Sequence, residues 1–253
     1  MKLDDGFVEL DGCKVHLRRG GKGQPLVFLH GANGAPVVLP FMEKLAERFD
    51  VLVPEHPGYG QSSEPDWLEN IHDVAYFYLD LFKQLDLKDI VLVGASMGGW
   101  IAMEIAVRDC SRLKELVLVA PAGIAAPGVE PADIFLMAPE DVVRALYFDQ
   151  SIPEKLLAVP PTPEAIDTGL KNRHTTARLG WEPRLNDPHL PKWLQRIDVP
   201  VKIVWGEKDA ILPVAFTKEF SRLMPKAKIH VLENCGHLPQ VEKMDEFLRI
   251  VCN

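Results

Sequence analysis

Short runs of β-branched and apolar residues recur eight times along this chain: FVEL, KVHL, PLVFLH, DVLVPE, IVLVGAS, LVLVAP, VKIVWG and KIHVLE. Most of the later runs are apolar throughout instead of alternating. A strand needs two apolar faces only when both are covered, so the pattern predicts an α/β fold: a mainly parallel eight-stranded sheet with helices on both faces. The intervening segments agree. Val74, Phe77, Tyr78, Leu81 and Leu85 repeat at helical spacing, and so do Val38, Phe41, Met42, Leu45 and Phe49 before the fourth run. A closing amphipathic helix is expected through Val241, Met244, Leu248 and Val251.

The alternation breaks between Pro121 and Pro191, where no convincing strand is written and 11 of the chain's 21 prolines fall. Residues 121–191 therefore read as a helical cap inserted into a core made of residues 1–120 and 192–253. Pro139 and Pro163 each stand where a first helical residue would, with Glu140 and Asp141, or Thr162 and Glu164, supplying the acidic or capping groups that helix starts favour.

A chain of 253 residues buries enough surface for one large core without metal or disulfide staples. Its formal charge of -8 disfavours a nucleic acid partner. MKLDDGFVEL carries acidic residues where a secretory signal would be basic, and no apolar run approaches bilayer length. Residence in the cytoplasm, with no membrane partner, is the expectation. Cys13, Cys110, Cys235 and Cys252 form no C-x-x-C pair, so reduced thiols are expected there, and no metal site is written locally.

The fifth run ends in Gly94-Ala95-Ser96-Met97-Gly98 and passes directly into an apolar helix. This G-x-S-x-G stands in the strand-turn-helix setting of a nucleophile elbow, a turn so sharp that residues two before and two after the serine have no room for a Cβ. Ser96 is thus the candidate nucleophile, with a helix amino terminus behind it. A hydroxyl is weak near neutral pH and needs an imidazole to take its proton. His237, in the ENCGHLPQVE loop after the last strand, is the candidate base. His16 and His230 lie inside strand patterns, and His56, His72, His174 and His189 have no supporting signature. The acid that orients the base should lie between Ser96 and His237 in the chain. PAGIAAP after the sixth run offers no carboxylate, whereas WGEKDAILP after the seventh offers Glu207 and Asp209. Asp209, deeper in the loop and shorter, is preferred. Backbone amides would hold the developing oxyanion, one from Met97 and the other from the LHGANG loop, where Ala32 is the candidate; His30 is read as structural.

HG, GASMG, WGEKD and CGH, in that order and each at a strand end, resemble the α/β-hydrolase superfamily, and PEHPGYGQSS looks like its P-D-x-P-G-x-G-x-S loop with Glu55 in place of aspartate. The likeness spans residues 1–120 and 192–253, and Asp209 matches the family's W-G-x-x-D. It implies a lid between strands six and seven and a serine hydrolase without cofactor or metal. SMGG and GHLPQVE are similar both to carboxylesterases and to carbon-carbon bond hydrolases of ring-fission dienoates. The second group usually has asparagine before the nucleophile and tryptophan after the histidine, where this chain has Ala95 and Leu238. Ser96 argues against haloalkane dehalogenases and epoxide hydrolases, whose nucleophile is aspartate. The expected partner is a small, partly apolar, ester-like molecule; cap residues Ile134, Phe135, Leu136, Leu146, Tyr147 and Trp181 are candidates to contact it. A thioesterase or perhydrolase on the same residues, a non-catalytic ligand receptor, and homo-oligomerisation are left open by the sequence.

Overall fold

In the computed structural model, which describes residues 2–253, the eight apolar runs are eight strands of one sheet. In chain order the elements are β1 (Asp4–Leu10), β2 (Cys13–Gly21), β3 (Pro25–Leu29), α1 (Pro40–Leu45), β4 (Asp50–Pro54), α2 (Ile71–Gln84), β5 (Ile90–Ala95), α3 (Met97–Arg108), β6 (Leu113–Val119), α4 (Pro139–Ala145), α5 (Ser151–Leu157), α6 (Pro163–Gly180), β7 (Val201–Gly206), α7 (Phe216–Leu223), β8 (Lys228–Leu232), α8 (Pro239–Glu242) and α9 (Met244–Cys252). The strands lie in the order β1-β2-β4-β3-β5-β6-β7-β8. β2 is antiparallel to both its neighbours, β1 and β4, and every other pairing is parallel.

Period-two geometry divides even the wholly apolar strands between two cores. In β3, Val27 and Leu29 join the cluster that includes Tyr78 and Leu81 of α2, Ile101 and Ile105 of α3, and Phe220 of α7. Leu26 and Phe28 join the opposite cluster, with Phe41 and Leu45 of α1 and Phe247 and Val251 of α9. β5 is buried at every residue because it lies mid-sheet between both layers. The parallel strands consequently present their carboxyl ends along one rim, and the loops leaving β3, β5, β7 and β8 there carry the candidate site residues.

The expected closing helix is divided. Lys243 leaves helical geometry (φ -127°, ψ 48°) between α8 and α9, which rotates the stripe, so Phe247 and Val251 are buried while Met244 and Leu248 are half-buried. Between β6 and β7 the described chain holds no strand, only isolated bridges such as Gly123 to Asn186. α4 and α6 begin at Pro139 and Pro163 as the sequence indicates, and the Thr162 hydroxyl accepts the Ala165 N–H at 3.3 Å. α5 is less legible in sequence, because Pro153 sits in the first turn of a seven-residue helix, where proline is tolerated but reads as a break.

Candidate active site

Ser96 sits between the last residue of β5 and the first of α3, with φ 54° and ψ -118°. A side-chain-bearing residue holds such dihedrals only where its surroundings over-determine them. Here its N–H donates to Val119 O at 2.8 Å, and its carbonyl accepts from Gly99 (2.9 Å), Ala122 (3.0 Å) and Trp100 (3.2 Å). The expected crowding at the flanking glycines is present: a Cβ on Gly94 would lie 2.3 Å from Gly98 O, and one on Gly98 would lie 2.1 Å from Leu29 O.

Asp209 and His237 meet behind this turn. Asp209 Oδ2 lies 2.7 Å from His237 Nδ1, and Oδ1 accepts the N–H groups of Leu212 (2.8 Å) and Ile211 (2.9 Å). A carboxylate only accepts, so Nδ1 carries the proton and Nε2 keeps its lone pair. Both residues are buried. Glu207, the other carboxylate of that loop, instead accepts the Asn234 N–H and pairs with Lys208. Cys235, two residues from His237, is pushed up to about 12 by burial, which keeps its thiol protonated and inert at neutral pH.

Ser96 and His237 line one cavity of about 280 Å³ together with Ala32. Among the described residues no hydrogen bond joins Ser96 Oγ to the imidazole; the ring's bonding partner is Asp209. Contacts of that kind commonly tighten only around a bound substrate. The Ala32 and Met97 N–H groups make no hydrogen bond among the described residues, although most neighbouring carbonyls are engaged.

The sequence profile of the Alpha/beta hydrolase family matches residues 26–250. This chain belongs to that family. Lipase 1 of Psychrobacter immobilis is 26% identical over 240 residues, covering 88% of this chain and 74% of the lipase. The 2-hydroxymuconate semialdehyde hydrolase of Pseudomonas sp. strain CF600 is 25% identical over 257 residues, covering 95% and 89%. The solved 2-hydroxy-6-oxo-6-phenylhexa-2,4-dienoate hydrolase of Rhodococcus sp. strain RHA1 superposes with a TM-score of 0.79 at 22% identity, over 99% of this chain and 97% of that one. The chain is thus an α/β hydrolase with both lipase and carbon-carbon hydrolase relatives at similar distance.

In this α/β hydrolase the remaining sequence candidates divide cleanly. Ile134, Leu146 and Tyr147 line the cavity, whereas Phe135, Leu136 and Trp181 do not. Phe135 packs edge-on against Trp181 at 5.4 Å, Arg184 lies 3.6 Å over the indole, and Leu136 is exposed. His30 is structural, as expected: its Nδ1–H donates to Gly31 O at 2.8 Å and its Nε2 accepts the His56 N–H at 3.0 Å. Burial holds its pKa down to about 4, so it stays neutral. Sequence reasoning overlooked the supports of the site. Glu242 accepts N–H groups from Gly236 (2.6 Å), Phe148 (2.9 Å) and Asp149 (2.9 Å), tying the His237 loop to the chain between α4 and α5. Asn172, Thr175 and Thr176 of α6 are buried against the loops after β3 and β4. The available signal was compositional: KNRHTTARLG carries almost no apolar stripe, and a helix without one must be exposed or held by polar contacts.

Proposed function

We propose that the chain is a serine-dependent hydrolase of uncharged carboxylic esters, working through an acyl-enzyme beneath a cap formed by residues 121–191. The observation that carries this reading is the shared cavity: Ser96, His237 braced by Asp209, and Ala32 line one space, and Met97 opens the helix directly after Ser96. Ser96 Oγ attacks the ester carbonyl while His237 Nε2 takes its proton. Asp209 orients the ring and stabilises the imidazolium. The carbonyl oxygen, now an anion, is held by the Ala32 and Met97 amides. His237 then gives the proton to the departing alkoxide as the C–O bond breaks. Water repeats the sequence on the acyl-enzyme, returning the proton to Ser96 and releasing the acid. None of these steps uses a metal or cofactor. The four thiols, none in a disulfide, fit a reducing cytoplasm, and no helix among the described residues is long and apolar enough to cross a membrane.

The cavity lining favours an ester over a dienoate. Phe28, Phe41, Met42, Val142, Leu146 and Ile211 are among its walls, and among the described residues no lysine or arginine is. A dienoate brings a carboxylate, whose burial without a counter-charge is costly. The two positions where carbon-carbon hydrolases usually carry asparagine and tryptophan are also on this wall, as Ala95 and Leu238. The test is a panel of p-nitrophenyl esters of rising acyl length, a thioester and a ring-fission dienoate, each with Ser96→Ala as control. Ester turnover abolished by Ser96→Ala is expected. Faster turnover of the dienoate than of every ester would overturn the substrate assignment; no turnover of any ester would favour a ligand receptor on this fold.

A further inference from the structure

The loop after β3 is held almost entirely by its carbonyls. Gly31 O accepts from His30 Nδ1 (2.8 Å) and Gly34 N (3.0 Å), Ala32 O from Thr176 Oγ1 (3.0 Å), Asn33 O from Asn172 Nδ2 (2.9 Å), and Ala35 and Pro36 O from the Arg18 guanidinium. Two of these donors come from α6, well over a hundred residues away in sequence. α6 is itself anchored on the other side. Asn172 Oδ1 accepts Gly60 N–H (2.9 Å), Thr175 Oγ1 donates to Gly58 O (2.7 Å), and Lys171 Nζ donates to Gly60 O (2.8 Å) and Ser62 O (2.6 Å). A single orientation of the Asn172 amide satisfies both of its bonds. Asn172, Thr175 and Thr176 are 4%, 0% and 2% exposed, so water offers no replacement partner.

A peptide group is planar, so fixing a carbonyl fixes the N–H on the far side of the same plane. Thr176 holds the Ala32–Asn33 plane and Asn172 the next one. Together with the Gly31 carbonyl, which sets the plane carrying the Ala32 N–H, they leave that segment one orientation. The Tyr59 hydroxyl, which burial keeps protonated, lies 2.7 Å from Thr176 Oγ1 and 3.6 Å from Met97 Sδ; when its proton goes to Thr176, the threonine hydroxyl is left to donate elsewhere. That single threonine proton is shared between Ala32 O at 3.0 Å and Asn172 O at 2.8 Å.

We infer that Asn172 and Thr176, from the longest helix of the inserted segment, are positioning residues for the oxyanion hole, aiming the Ala32 N–H by gripping the carbonyls of its loop. This rests on the ester-hydrolase reading, and adds that α6 is part of the transition-state machinery, not a movable cover. Interactions that act only in the transition state change kcat and leave KM alone. Losing an oxyanion donor outright typically lowers rate about 10²- to 10³-fold, so loss of its aim should lower it about 10- to 100-fold.

The experiment uses Thr176→Val, which removes the hydroxyl at near-constant shape, and Thr176→Ser, which retains it. Each is read by kcat and KM on a p-nitrophenyl ester and by Ki for phenylboronic acid. That probe takes the Ser96 oxygen onto boron while His237 keeps the proton, giving a tetrahedral anion with an oxygen at the oxyanion position. Expected for Thr176→Val are a kcat lowered about 10- to 100-fold, KM within about twofold, and a boronate Ki raised in parallel with the loss in kcat. Thr176→Ser should restore most of both. A kcat and Ki within about twofold of the parent in Thr176→Val, or a raised KM alone, would overturn the inference and reduce α6 to a pocket wall. Should that variant fail to fold, Asn172→Ala, which frees Asn33 O, is read the same way. Turnover surviving in Ser96→Ala would instead overturn the underlying reading, a separate result.

Discussion

The two loops that meet at Ser96 are held from opposite chemical sides. The loop after β3 is gripped through carbonyl oxygens by His30, Arg18, Asn172 and Thr176, which leaves the Ala32 N–H unused. The His237 loop is gripped chiefly through N–H groups: Gly236 N–H goes to Glu242, and His237 N–H goes to Leu146 O at 2.9 Å. Its imidazole is braced by Asp209 through Nδ1, which leaves Nε2 without a hydrogen bond among the described residues. The difference teaches a simple rule. Each loop is fixed by the groups its proposed chemistry does not need, so rigidity does not consume the functional atoms. The chain between β6 and β7 supplies contacts to both loops, α6 to one and residues 146–149 to the other.

The comparison can be broken most severely at the acid. Asp209→Asn keeps the shape but can present an N–H to Nδ1 and trap the ring in the wrong tautomer; we expect kcat on a p-nitrophenyl ester to fall about 10³- to 10⁴-fold with KM little changed. A loss of less than about tenfold would mean His237 does not depend on this brace.

On the other loop, His30 should report acid. Its folded pKa, about 4, lies below the ordinary 6.5, so the unfolded chain binds the proton first as pH falls. The contribution is complete above about pH 6.5 and is lost on descending through the window from 6.5 to 4. Protonation would also deny Nε2 to the His56 N–H. The loss is on the order of 3 kcal/mol, or about 10²-fold in the folding constant, from the linkage of one group. Urea melts at pH 7.5 and 4.5 should resolve it, and His30→Asn should lessen the drop; an unchanged pH slope in that variant would remove His30 from the account.

Glu242→Ala releases three N–H groups that join Gly236 to Phe148 and Asp149, and hydrogen bonds to a charged carboxylate are stronger than neutral ones. We expect kcat to fall roughly 10- to 30-fold, with a lower melting temperature. A fall in melting temperature with kcat intact would show that the tie serves stability alone. The smallest effect is expected for Arg18→Lys, which keeps charge but loses the fork on Ala35 and Pro36 carbonyls. Three further side chains, His30, Asn172 and Thr176, still hold that loop, so kcat should drop only about three- to tenfold on the same assay.

Much of this architecture was legible in the chain. All eight strands were, because a sheet covered on both faces imposes wholly apolar runs such as IVLVGA, and so was the elbow, because Gly94 and Gly98 leave no room for a Cβ. Asp209 is preferred over Glu207 from loop position, and it is Asp209 whose Oδ2 lies 2.7 Å from His237 Nδ1. The division at Lys243 was not legible, since one non-helical residue leaves the apolar spacing on either side intact. Nor were the cavity walls within residues 121–191, where Leu146 and Trp181 look alike as apolar residues and only the former reaches the site.

By itself, then, the sequence determined the layered sheet, the strained serine turn and the chain order of serine, acid and histidine. These are consequences of local sterics and of periodic burial, which every window of sequence carries. Only the tertiary structure decided which side chains stand behind those loops. Asn172 meets Asn33 across 139 residues and Glu242 meets Phe148 across 94, and a polar hydrogen bond between distant segments leaves no periodic trace. Its partner is chosen by how the helices dock, which is settled when the whole core packs.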